Sequence, residues 1–276
     1  QVLPNAWYEA TLPKKFVRHT GIENRSISFE DEVTMSQRCV EDLVRDPARN
    51  LEDCAGGVFV SPSFIPMSIA HRYWDRGRAR EEQLNRAAYR LAQSLGIQPR
   101  RVIGINSFCS GYARALSLVK NKMLPTMNLS SSEFVLVVTA SRISRITDFS
   151  CRHSGALFGD FATATLLSRC DSYRYPVTFE VIDSVYRKRS VPRPMFDFAM
   201  REDVLVPTPD GGRGHEAQRL VFSMDGMGIA DVAPRAMASS ATEIMQANQL
   251  SPDEVRHVVP HQAGDGILRL AGMKLE

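Results

Sequence analysis

The stretch "RVIGINSFCSGYARAL", residues 101–116, sets the architecture. Its first half is a short apolar run rich in Val and Ile, too short for a helix, and reads as a buried strand over 101–107. Its second half is helical. Tyr112, Ala115, Leu116, Val119 and Met123 recur at i, i+3, i+4, i+7 and i+11, and Pro125 predicts the end of that helix. A strand feeding directly into a helix is the repeating unit of layered α/β folds. Cys109 sits at the junction, followed by Ser110 and Gly111. A thiol placed there meets the free N–H groups of a helix start and the positive end of its dipole, both of which favour thiolate. The small residues that follow let a substrate approach the backbone, and the Cys109 N–H can donate to an oxyanion. The same residues also suit a cysteine that fills a core.

Alternation of short apolar runs and helical patterns continues on both sides. Residues 56–61 ("GGVFVS"), 133–140 ("EFVLVVTA"), 163–168 ("TATLLS"), 178–186 ("TFEVIDSVY") and 256–262 ("RHVVPHQ") read as further strands. Leu84, Ala88, Leu91 and Leu95 form one face of a helix over 81–95, which Gly96 stops. A helix over 234–249 starts with Pro234 in its first turn, and "SPDEV" (251–255) signals another helix start. Residues 187–217 carry proline, glycine and charge with little periodicity. They read as a long connection, either a solvated loop or a cover over substrate.

The 276 residues are 43% hydrophobic and 24% charged, which suits one large globular domain or two fused smaller ones. A net charge of +3 is too small to suggest a nucleic-acid partner. No apolar run reaches bilayer length, and no basic, apolar, small-residue leader opens the chain, so the expected location is the cytoplasm, with no membrane partner. Five cysteines without a CxxC pair argue against a disulfide framework or a structural zinc site, and no metal is expected.

Two other segments carry candidate chemistry. "VVPHQAGDGI" (258–267) ends a strand reading on His261, which can accept a proton or donate to developing negative charge; the alternative is a histidine that caps its own strand. Cys109 and His261, both at strand ends, fit a Cys/His nucleophilic site. In "RHSGALFGDFATATLLSR" (152–169), Gly159 and Asp160 read as a tight turn with Asp160 bonded to local backbone. Arg152 and His153 are candidates for a cofactor-facing rim.

Taken in order, "FVRHTGIENR" (16–25), "NSFCSGYARAL", "LFGDFATATLL" and "VVPHQAGDGI" resemble the β-ketoacyl-acyl-carrier-protein synthase III group of the thiolase superfamily. The resemblance implies a layered αβαβα fold of two similar halves, 1–168 carrying Cys109 and 169–276, incomplete, carrying His261. It also implies a homodimer with no permanently bound cofactor, acting on a coenzyme A thioester and an acyl carrier protein. Carried over, Cys109 takes an acyl group, His261 stabilises the enolate formed by decarboxylation of a malonyl group, and Arg152 lies near the adenine end of the coenzyme. The family's catalytic asparagine follows "PHQA" by several dozen residues and falls outside residues 1–276. Departures include Gly264 for asparagine and Gly266 for arginine after "PHQA", His19 and Lys15 around "TGI", and Phe161 and Thr163 in the "GDGAGA" segment. They suit a divergent synthase of secondary metabolism. Transfer of the acyl group to oxygen or nitrogen, or an inactive scaffold, remain open on sequence alone.

Overall fold

The computed structural model describes residues 2–4, 20–46, 49–64, 77–98, 102–151, 154–169, 179–187 and 195–274. In chain order the elements begin with strands β1 (Val2–Pro4) and β2 (Asn24–Ser26), helix α1 (Glu32–Leu43), strand β3 (Cys54–Val60) and helix α2 (Gly77–Ser94). Strand β4 (Val102–Ile105), helix α3 (Gly111–Leu118) and strands β5 (Phe134–Ser141) and β6 (Phe161–Leu167) follow. Strands β7 (Phe196–Pro207) and β8 (Arg213–Met224) and helices α4 (Gly226–Ala247) and α5 (Asp265–Gly272) complete the series. Two compact units result, one of residues 28–143 and 160–186, the other of 1–27, 144–159 and 187–276.

The first unit is a four-stranded sheet in the order β4-β3-β5-β6. Strand β3 runs parallel to β4 and β5, and β6 returns antiparallel to β5. Every residue of β3 and β5 is buried, which is why both read as unbroken apolar runs. The side chains alternate between two layers. Phe59, Leu136 and Val138 face Val33 and Val40 of α1 and Leu84, Ala88 and Leu91 of α2. Val58, Val60, Val135 and Val137 face Ala115 and Val119 on the other side. Each fully buried leucine or valine contributes about 1.5–3 kcal/mol. Gly96 takes φ +73° and ends α2 as its sequence position predicts.

Pro125 does not stop the helix after Cys109. A π-turn over Val119–Met123 carries it into one further turn, Leu124–Thr126, with Pro125 in that turn's opening positions. The wider turn relieves the clash that a proline ring makes with the carbonyl four residues back.

The second unit departs most from expectation. Instead of a long connection over 187–217, β7 and β8 form a hairpin paired from Phe196–Met224 to Pro207–Arg213. Buried Val204, Val206 and Val221 anchor it. The rings of Phe196, Phe198 and Phe158 surround Phe222 at 5.5, 5.4 and 5.8 Å. The central "RED" triplet and the flanking prolines masked that pattern.

Helix α4 begins eight residues before Pro234, capped by Asp225, whose Oδ1 accepts the Gly228 N–H at 3.0 Å. Its two early glycines hid the start, and Pro234 lies inside the helix. "SPDEV" makes only a 3₁₀ turn, in which the Glu254 carboxylate accepts from the Ser251 N–H and hydroxyl at 2.8 and 2.9 Å. Residues 256–262 and 179–186 form no strand; Val259 is 89% exposed and Phe179 86%. Both runs have strand composition but lack a pairing neighbour among the described residues.

Candidate active site

Strand β4 ends at Ile105, and the chain reaches α3 through Asn106, Ser107 and a 3₁₀ turn, Phe108–Ser110, with Cys109 at its centre. Asn106 ties this passage to the end of β3. Its Nδ2 donates to the Ser61 and Pro62 carbonyls at 3.0 and 3.2 Å, while its Oδ1 accepts the Phe108 N–H at 3.2 Å. Phe108 takes φ +45°, a left-handed conformation that costs a bulky residue about 1–3 kcal/mol and that surrounding bonds must hold. The Ser110 hydroxyl donates to the Ser107 carbonyl at 2.8 Å. The Ser107 and Tyr186 hydroxyls lie 2.9 Å apart. Arg114 donates to the Asn106 carbonyl at 3.3 Å, and its guanidinium carbon lies 5.5 Å from the Tyr186 ring centroid. Gly111 is small for packing rather than for substrate access: it is buried, and a Cβ there would lie 2.5 Å from Val60 Cγ1.

Cys109 keeps an exposed surface, yet its sulfur is recessed among neighbouring atoms, and burial pushes the thiol pKa up. A hydrogen bond at its own backbone opposes that shift only in part. The helix start was expected to lower this pKa. Desolvation prevails because Cys109 lies in the 3₁₀ turn, two residues ahead of α3, rather than within its first turn. A raised pKa means less thiolate at any given pH. Alkylation of Cys109 by iodoacetamide is therefore expected to be slower at pH 7 than for a free thiol, and to keep rising with pH beyond the range where an ordinary thiol levels off. Peptide-resolved mass spectrometry checks this; a plateau below pH 8 contradicts it.

His261 belongs to the other unit, on an irregular segment leading into α5. Its carbonyl accepts the Ala263 N–H at 2.8 Å, and the Gln262 side chain donates to the Pro260 carbonyl at 3.2 Å, making a tight local turn. Desolvation lowers the imidazole pKa, so the ring is neutral at pH 7 and retains one N–H donor. Gly264 follows at φ +101°, ψ 150°, a conformation essentially restricted to glycine. This explains why the asparagine of the "PHQAN" pattern is missing here.

Asp160 reaches beyond its own turn. It is buried, and its Oδ2 accepts the distant Ser28 N–H at 2.8 Å. Arg152 and His153 lie outside the described residues, as do Lys15 and His19. Among the described residues no cluster of three or more His, Cys, Asp or Glu is placed to hold a metal, and no helix is long and apolar enough to cross a membrane. Asn106, Arg114 and Tyr186 escaped sequence reading; only the strand-to-helix context of Asn106 carried a hint.

Comparisons with known proteins cover the segment that carries this turn. The family 3-oxoacyl-[acyl-carrier-protein (ACP)] synthase III matches residues 103–185, which include the whole turn. Within these residues the chain is similar to that synthase III family. The β-ketoacyl-[acyl-carrier-protein] synthase III of Sulfurimonas denitrificans is 25% identical over 96% of this synthase III-like chain and 73% of the relative. That of Clostridium beijerinckii is 30% identical over 62% of the chain, and the match spans 49% of the relative, about half its length. The crystal structure of the synthase III of Aquifex aeolicus superposes with a TM-score of 0.67 at 20% identity, over 100% of the chain and 77% of that structure. Its likeness establishes the mixed α/β, thiolase-like fold of the synthase III-like chain.

Proposed function

We propose that this chain is the greater part of a thioester-dependent condensing acyltransferase. The Cys109 thiol loses its proton to solvent in the minor ionised fraction that its raised pKa allows, the thiolate attacks the carbonyl of an acyl-coenzyme A, the new C–S bond forms, and the coenzyme A thiolate leaves and takes up a proton. A malonyl group on an acyl carrier protein then loses carbon dioxide, and the electron pair of the broken C–C bond forms an enolate whose oxygen the neutral His261 N–H stabilises. The enolate carbon attacks the acyl-cysteine, forming a C–C bond and releasing the Cys109 thiolate with a 3-oxoacyl product. The observation that supports this reading best is an exposed cysteine at the centre of a pinned strand–turn–helix junction. A sulfur nucleophile suits it, because its thioester stays reactive toward carbon.

The accompanying calls are two halves divided at 168/169, action in the cytoplasm, Arg152 contacting the coenzyme, and a homodimer. The last is supported by Ile103, which is exposed on the sheet-edge strand β4.

Incubation with acyl-coenzyme A and malonyl-carrier protein tests the reading. One carbon dioxide per 3-oxoacyl product is expected. Product formed without carbon dioxide, on an alcohol or amine acceptor, would instead identify an O- or N-acyltransferase.

A further inference from the structure

We propose that Tyr186 and Arg114 are positioning residues that hold the Cys109 turn in its recessed conformation, acting through Ser107 and Asn106. The inference rests on Cys109 being the nucleophile.

Four contacts converge on the three residues before the cysteine. The Tyr186 hydroxyl bonds Ser107 Oγ at 2.9 Å, and Ser110 Oγ donates to the same oxygen at 3.2 Å and to the Ser107 carbonyl at 2.8 Å. Arg114 bonds the Asn106 carbonyl while it lies over the Tyr186 ring. Tyr186 and Arg114 therefore brace each other, and each grips one residue of the passage.

The turn needs bracing. Phe108, directly before Cys109, is held at φ +45°, a conformation that a phenylalanine does not keep unaided. Ser107 gives the 3₁₀ turn no side-chain cap, and its hydroxyl is engaged with Tyr186 and Ser110 instead. Arg114 forms no ion pair among the described residues, so its guanidinium is spent on a carbonyl and a ring rather than on a carboxylate. The 179–187 segment that carries Tyr186 has no strand pairing of its own. Lys120, which donates to the Val181 carbonyl, and Asn121, which donates to Ser184 Oγ, tie it to the π-turn that continues α3, and Tyr186 ties it to Ser107.

The test is a double-mutant cycle read at Cys109. The alkylation rate of Cys109 by iodoacetamide is measured against pH for the parent, Tyr186→Phe, Ser107→Ala and the double variant. Tyr186→Phe keeps the ring under Arg114 and removes only the hydroxyl bond. Each single variant is expected to change the Cys109 rate by about threefold to tenfold, the size of one hydrogen bond, and to lower the apparent thiol pKa as water reaches the loosened turn. The double variant is expected to match Ser107→Ala, because that variant already removes the bond that Tyr186→Phe breaks, together with the Ser110 contact to the same oxygen. Protection of buried Cys54 confirms that each variant is folded. If Ser107→Ala loses that protection, Tyr186→Phe alone decides. Profiles that coincide with the parent, or single effects that multiply in the double variant, overturn the proposal. The cycle needs no substrate. A failure to acylate Cys109 would therefore remove the enzymatic reading while leaving this result to stand or fall alone.

Discussion

Replacing His261 by alanine is expected to leave acylation of Cys109 intact and to lower carbon dioxide release from a malonyl thioester by about 100-fold or more. The two steps make different demands. Acylation creates a C–S bond and expels a good leaving group, and its oxyanion falls to donors near the nucleophile, such as the Cys109 N–H. Decarboxylation places negative charge on the enolate oxygen of the malonyl-derived group, a different atom from the acyl oxyanion, and needs a donor of its own. A neutral imidazole serves, and although His261 keeps an exposed surface, desolvation of the ring by neighbouring atoms lowers its pKa and favours that form. His261→Asn, which retains a neutral N–H donor, is expected to recover part of the loss. Stopped-time quenching of both half-reactions separates them. Equal carbon dioxide release by parent and His261→Ala would remove His261 from the mechanism, and loss of acylation alone would reassign it to the first step.

Gly104→Ala is expected to destabilise the chain by about 3 kcal/mol or more, measured as a lower urea midpoint at unchanged slope. A Cβ at Gly104 would stand 2.4 Å from the Leu84 carbonyl oxygen and 2.9 Å from the Asn85 nitrogen. Both are backbone atoms of α2, so no rotamer change relieves the clash and the helix itself must move. Moving it lifts Leu84, Ala88 and Leu91 from the sheet and breaks the 2.8 Å bond from the Gly104 N–H to Asn85 Oδ1. That bond satisfies a donor on the outer side of β4, which has no strand partner there among the described residues. Gly96→Ala is the comparison. Its Cβ meets nothing within 4 Å, but φ is +73°, so only backbone strain of about 1 kcal/mol is expected. A Gly104→Ala midpoint as close to the parent as that of Gly96→Ala would contradict the packing described here.

The parts of the fold legible in sequence were those whose burial is uniform or strictly periodic. Strands β3 and β5 are buried along their whole length, and α2 presents one face of Leu84, Ala88, Leu91 and Leu95, so composition and spacing report them directly. Hairpin β7-β8 was missed because only its inner positions are buried; Arg201, Glu202 and Asp203 interrupt the pattern where the strand is open to water. The start of α4 is hidden because two glycines, Gly226 and Gly228, stand in its first turn and weaken the helical pattern that follows the Asp225 cap. Residues 256–262 carry strand composition, but pairing is a property of neighbours, which one segment cannot encode.

The candidate site divides in the same way. Cys109 was legible because a strand-to-helix switch is a local signal. Asn106, Arg114 and Tyr186 were not, since their roles arise from contacts such as the 79-residue separation between Ser107 and Tyr186. The thiol's pKa direction was misjudged for a related reason. A helix start can be read from sequence, whereas the atoms that crowd a sulfur cannot.

The most direct test is acyl transfer to Cys109 itself. Parent and Cys109→Ala chains are incubated with acyl-coenzyme A, and the intact mass and the peptide carrying residue 109 are measured. The expected result is one acyl adduct per chain, located on Cys109, labile to hydroxylamine and absent from the variant. An adduct that persists in Cys109→Ala, or no adduct from any thioester while Cys109 still reacts with iodoacetamide, would contradict the assignment of Cys109 as the nucleophile.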